Sequence, residues 1–365
     1  MAERKGELTI SQEESRRISI LKAILIVMVV MIHAYKTDLN MAEGTVVLQD
    51  PSWLAGLKYV LTRIMFRCAV PGFFFLSAYL LYRKPFSWKA NLLKKARSLL
   101  IPYFLLNAWW ILVFFTGQHL PGISSFFSRP ENMVAEWDLG RWFSAFFGSP
   151  EISTPMLSPL WFIRDLFILN LLAPAFEWFV RKTKGFSLAV FVVLWILLDC
   201  TGIFFLELQD LCFWGFGCWF AVSRKPLSPL DRAKVPLAVA YPCLIAAAFV
   251  LRTQYDVFGT AVFRLCDLCG LIFFFVWGTR IRNEKLRKGM LFLSRYSFPI
   301  FLFHEMHLTF LQKILAKVLP QSAAFSLLLY FGAPAAIIVF CLVLSRILER
   351  FTPKLYGLLT GGRSR

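Results

Sequence analysis

Apolar positions in this chain run in long blocks rather than in alternation. Most blocks are wide enough for a helix that crosses a membrane. The pattern predicts helices over about 18–35, 59–82, 98–116, 158–180, 186–204, 207–223, 236–252, 260–279, 291–312 and 323–347. The fold class expected is therefore all-α, a polytopic membrane helix bundle of about ten transmembrane helices. A polar tail over 1–17 precedes the membrane domain at 18–347, and a basic tail over 348–365 follows it. The first block, RISILKAILIVMVVMIHAY (Arg17 to Tyr35), holds two costly groups, Lys22 and His33. On one helix they sit roughly 16 Å apart.

Cations punctuate the blocks unevenly. Arg83, Lys84, Lys89, Lys94, Lys95 and Arg97 fill the second connection, and Arg280, Arg282, Lys285, Arg287 and Lys288 fill the eighth. Arg181, Lys182 and Lys184 follow the fourth block and Arg224 and Lys225 the sixth, whereas the alternate connections, the first, third, fifth, seventh and ninth, are poor in cations. Residues 36–58 carry Asp38, Glu43 and Asp50, and the longest loop, 117–157, carries Glu131, Glu136 and Asp138. The positive-inside rule then puts both termini in the cytosol. It puts the long loop outside, where it partly covers a site. No small-residue cleavage site follows the first block, which reads as a retained signal anchor. The expected location is the plasma (inner) membrane of a prokaryotic cell.

Composition supports this class. Hydrophobic residues make up 58% and charged residues 17% of the chain, with a mean hydropathy of +0.62. A net charge of +18 is explained by the loop cations, so no nucleic acid partner is expected. The eight cysteines form no ladder in an outer loop, so no disulfide framework is expected. Cys266 and Cys269 have CxxC spacing, but no second pair completes a zinc site.

Directions assign depths. His33 falls in the outer third of the membrane, as do Arg63 and Arg67 on one helix face, Arg164, Asp165, Asp199, Arg264, Asp267, His304, Glu305 and His307. Ionisable groups at that depth face one another or a wet cavity, and mark function by default. The plainer reading is a set of structural ion pairs, with Arg264 and Asp267 the simplest. His304 and His307, three apart, are expected to share a helix face; a metal held by them with His33 lacks any fixed geometry, and none is expected. At the inner boundary Lys22, Lys94, Lys95 and Arg97 either orient the protein or bind a phosphate-rich donor.

These residues carry a family resemblance. Lys22-x10-His33 resembles the Arg/Lys-x10-His motif of the acyltransferase-3 family of integral membrane acyltransferases. VPGFFFLSAYLL, KKARSLLIPYF, LWFIRDLFILNLLAP and SRYSFPIFLFHEMHL agree in order and spacing. Ser77-Ala78 stands where members often have Ser-Gly. The resemblance implies transfer of an acyl group, commonly acetyl, from cytosolic acyl-CoA to a hydroxyl of an envelope glycan or other acceptor. The enzyme acts alone or passes the acyl group to a partner. His33 is then the catalytic histidine, and Lys22 lies where a donor-associated cation is expected. Acyl-CoA is a substrate, and no bound cofactor is expected. Membrane lipid is a further partner, and a homo-oligomer is compatible with the sequence.

The chemistry fits. An imidazole can take the proton from an attacking hydroxyl. Glu305 is the first candidate to orient it and Asp199 the second. One of Arg63, Arg67 and Arg164 stabilises the thioester oxygen or positions the acceptor, with His304 nearby. A covalent acyl-His33 is an alternative, and Ser77 a weaker nucleophile. A competing class is a transporter or flippase for a lipid-linked sugar or small anion. A structural partner in envelope assembly is a third.

Overall fold

The structure is a computed structural model that describes residues 10–41, 44–48, 50–84, 87–127, 132–148, 154–197, 206–254 and 256–362. Glu43, Glu131, Asp199 and Cys200 lie outside the described residues. The elements are α1 (Gln12–Ala34), a hairpin of β1 (Asp38–Met41) and β2 (Gly44–Val47), α2 (Ser52–Tyr82), α3 (Trp88–His119), α4 (Leu139–Phe147) and α5 (Ser158–Leu171). They continue with α6 (Ala173–Lys182), α7 (Phe186–Leu197), α8 (Leu208–Val222), α9 (Ser228–Val250), α10 (Val257–Gly278), α11 (Glu284–Arg295), α12 (Ser297–Val318), α13 (Ala323–Phe351) and α14 (Pro353–Leu359). Among the described residues, α1, α2, α3, α9, α10 and α13 are long and apolar enough to cross a membrane, and α5 with α6 makes a seventh if taken as one bent span. The chain is all-α and polytopic.

Where the helices depart from the apolar blocks, local chemistry explains the shift. α1 starts earlier than the block because the Ser11 hydroxyl accepts from the Glu14 amide at 3.1 Å, and Glu13 and Glu14 occupy the first turn, where a helix favours negative charge. α2 starts at Ser52 because Lys58 is neutralised there. It meets Asp50 at 2.6 Å and is buried. The fourth block is bent by 60° between α5 and α6, where Pro174 lacks an amide proton. The ninth block is two helices: α11, capped by Asn283 on the Leu286 amide at 3.0 Å, then α12.

Four stretches of the long helices widen into π-turns, Val60–Met65, Ala96–Leu100, Phe274–Gly278 and Leu328–Gly332. Two of them end two residues before a proline, Pro102 and Pro334. A proline ring presses on the carbonyl four residues back, and a widened turn moves that carbonyl aside.

The backbone forms two compact units. The first comprises Met1–Val29, Tyr59–Lys95 and Asp165–Ser297, and the second Val30–Lys58, Ala96–Arg164 and Phe298–Arg365. In the first, α8 packs along α2 around the buried Tyr79, Phe74, Phe213 and Trp214. Gly217 permits this: a Cβ there would meet the Phe75 carbonyl, the Ala78 Cβ at 2.8 Å and the Tyr79 amide nitrogen at 2.9 Å. The close approach thus rests on a glycine of α8 facing Ala78.

Around Arg17 and Tyr79 in the first unit, charged groups are tied to one another. Arg17 donates to both oxygens of Asp231 at 2.8 and 2.9 Å, to Thr279 at 3.0 Å and to the Phe275 carbonyl at 3.1 Å. It also lies over the Phe275 ring, and Arg280 reaches the same aspartate at 2.7 Å. Tyr79 bridges Glu14 and Arg83. These groups wall a cavity of about 490 Å³ in which Arg17, Arg83 and Arg224 stand against Glu13, Glu14 and Asp231.

Candidate functional site

His33 closes the last turn of α1. In the second unit its ring meets that of His304 on α12 edge-on, with centroids 4.9 Å apart and planes at 69°. His304 is fully buried. Its Nδ1 lies 3.0 Å from the Ile300 carbonyl and 2.9 Å from that of Phe301. Carbonyls only accept, so Nδ1 carries the proton in the neutral ring and Nε2 is left as an acceptor. That Nε2 has no hydrogen-bond partner among the described residues.

Two turns further along α12, Gln312 fixes the register. Its side-chain nitrogen donates to the Ala34 carbonyl at 3.0 Å and lies 3.5 Å from that of Leu329. This ties the residue after His33 to α12 and α13. His304 and His307 were expected to share a face, but they meet different neighbours. His307 donates from Nδ1 to the Phe303 carbonyl at 2.6 Å and packs against Trp110 and Phe340.

Beside the histidines, also within the second unit, lies a cavity of about 270 Å³. α12 supplies Glu305, Met306, Thr309 and Lys313, and α3 supplies Phe114. Lys36, just beyond α1, completes one wall and acts electrostatically on His33. Much of the rest comes from the long 117–157 segment, through Phe126, Asn132, Arg141 and Thr154 to Met156. Asp138 caps α4 on the Arg141 amide at 2.6 Å. The Arg141 guanidinium is braced by Asn132 at 3.1 Å, by Ser144 at 3.2 Å and by the Trp137 ring. Lys313 is buried and donates to the Phe126 carbonyl at 2.9 Å. Three cations, Lys36, Arg141 and Lys313, thus face one described carboxylate, Glu305.

The remaining expected residues are distributed as follows. Arg164 donates to the Phe147 carbonyl at 2.8 Å, fastening α5 to the end of α4. In the first unit Arg67 pairs with the fully buried Asp267 at 3.4 Å. Arg264 donates to the Trp195 carbonyl and adds its field at Asp267, so the simple Arg264–Asp267 pair is replaced by a three-residue cluster. Arg63 is exposed, Lys22 is partly buried in α1, and Lys94 and Lys95 end the first segment of α3, all in the first unit. Arg97 is exposed in the second. Among the described residues no three His, Cys, Asp or Glu side chains are grouped to hold a metal ion.

Lys36, Arg141 and Lys313 were not singled out from the sequence. Lys36 and Arg141 fall in the connections 36–58 and 117–157, and Lys313 just past the ninth apolar block. A buried lysine within the last two turns of an apolar helix was the available signal.

A helical protein with several membrane-length helices and an imidazole pair beside a cationic cavity has the make-up of a membrane transferase or transporter. Comparison decides between them. The family model Acyl_transf_3, an acyltransferase domain, matches residues 16–346, and the chain belongs to this family of membrane acyltransferases. It is also 27% identical to the succinoglycan biosynthesis protein ExoH of Rhizobium meliloti (strain 1021) over 367 residues, which covers 96% of this chain and 93% of that protein. No solved structure matches.

Proposed function

We propose that the protein moves an acyl group, in the first instance acetyl, from cytosolic acyl-CoA to a hydroxyl of an envelope glycan at the bacterial inner membrane. The observation that carries this reading is the His33–His304 pair in a chain of an acyltransferase family. The relative named for succinoglycan biosynthesis supports a glycan as acceptor.

His33 takes the proton of the acceptor hydroxyl, whose oxygen attacks the thioester carbonyl. The carbon–sulfur bond breaks, and the proton passes from the imidazolium to the departing CoA thiolate. His304, protonated on Nδ1, presents an acceptor nitrogen that orients the His33 ring and stabilises its charged form. Glu305 adds negative charge on the same helix. Arg164, in the same unit as His33, is a candidate to stabilise the oxyanion or position the acceptor. Lys22, Lys94, Lys95 and Arg97 are candidates to hold the donor's phosphates at the cytosolic face.

The test is His33→Ala in protein reconstituted into nanodiscs with acetyl-CoA and an oligosaccharide. Transfer should fall by two to four orders of magnitude while the thermal midpoint holds. Wild-type transfer by the variant would remove the proposal.

A further inference from the structure

We propose that the cavity beside the imidazole pair binds a carboxylate carried by one of the two substrates. The inference rests on the acyltransferase reading above and names what that site selects. The cavity's described walls hold Lys36, Arg141 and Lys313 against Glu305. Cations fixed in a concave, low-dielectric wall attract an anion far more strongly than the same groups in water. Arg141 is fixed in this way, since Asn132, Ser144 and the Trp137 ring hold its guanidinium. A guanidinium so held matches the two oxygens of a carboxylate. Lys313 reaches the cavity from a buried position, where a cation needs a strong reason to be kept.

Size and place narrow the ligand. About 270 Å³ falls below the usual range of roughly 300–1,000 Å³ for drug-sized ligands. One sugar ring or a short acyl chain suits it better than the nucleotide end of CoA. Glu305 follows His304 directly in α12, and Lys36 acts on His33. An anion anchored here leaves the reacting end of the same fragment near His33. The carboxylate is a spectator: the ester bond forms, the carbon–sulfur bond breaks and the proton moves as already described. It belongs either to an acidic sugar of the acceptor or to a dicarboxylic acyl group of the donor.

The experiment uses the full chain in nanodiscs and two substrate pairs. One pair sets a glucuronate-terminated against a glucose-terminated oligosaccharide with acetyl-CoA. The other sets succinyl-CoA against acetyl-CoA with the neutral oligosaccharide. The wild type should prefer the carboxylate in one pair, and that pair identifies the source. Arg141→Gln should lower kcat/KM for that substrate on the order of ten- to a hundredfold and change the neutral one less than threefold. Arg141→Lys should retain only part of the preference, since an ammonium keeps the charge but not the two-pronged geometry. Lys313→Met should act in the same direction, but Arg141, being partly exposed, carries the test if the buried site does not tolerate change. No preference in either pair, or an equal loss on both members, overturns the inference. A His33→Ala control that still transfers at the wild-type rate removes the underlying reading instead, and the two failures are distinct.

Discussion

The two polar cavities of this chain treat charge in opposite ways. In the first unit three arginines meet three carboxylates, and Arg17 spends its donors on Asp231, Thr279 and a carbonyl. In the second, three cations meet one described carboxylate, and the neighbouring His304 keeps a buried acceptor nitrogen without a hydrogen-bond partner among the described residues. A balanced wall needs no ligand, and its charges hold helices in place. A wall whose described cations outnumber its described carboxylates favours an arriving anion. The first cavity therefore reads as structural and the second as functional, although the first is larger.

Changes on either side can break this contrast. The largest effect is expected from Asp231→Ala, which leaves Arg17 and Arg280 without their shared carboxylate. Asp231 is partly exposed, but its loss takes two charge-assisted hydrogen bonds from the buried Arg17, about 1.5–3 kcal/mol each, and the thermal midpoint in detergent should fall by several degrees. An unchanged midpoint would mean the first cavity is not the structural one. Next comes His304→Phe, which keeps an aromatic ring but removes both nitrogens. Its transfer rate should drop about a hundredfold, equivalent to about 2.7 kcal/mol of barrier, with stability held. A rate within threefold of wild type would strip His304 of its role beside His33.

Gly217→Val should be smaller, about 1–3 kcal/mol of overpacking where α8 meets the Phe75 carbonyl. It is read as stability, with transfer per folded molecule unaltered. Least of all is Glu284→Gln, which removes exposed pairs to Arg287 and Lys288 at 3.8 and 3.2 Å. It should move stability by less than about 0.5 kcal/mol, and a larger shift would show that α11 does more than lie at the surface.

Much of the fold could be read from the apolar blocks, because a membrane helix must be long and apolar whatever it packs against. The breaks were harder. Pro174 is visible in the sequence, but its 60° bend interrupts no apolar run. Lys58 looks like a helix boundary until Asp50 is seen to neutralise it. For the site, the Lys22-x10-His33 spacing pointed to His33, and the cost of a buried imidazole pointed to His304. Spacing also put His304 and His307 on one face. Each ring bonds a carbonyl of its own preceding turn, and their partners, His33 for one and Trp110 with Phe340 for the other, come from distant chain segments. The cavity was hidden for the same reason. Lys36, Arg141 and Lys313 are adjacent only after folding.

The widened turns before Pro102 and Pro334 bear on how such chains should be aligned. Each turn of this kind holds one residue more than an ordinary one. A helix that loses that residue and winds regularly closes the same full turn with one residue fewer, so the later side chains keep their facing and the span is barely shortened. A cousin of this enzyme that lacks it would show a one-residue gap inside a membrane helix. Such a gap next to a proline marks a helix returned to regular winding, and the span on both sides of it should be kept whole.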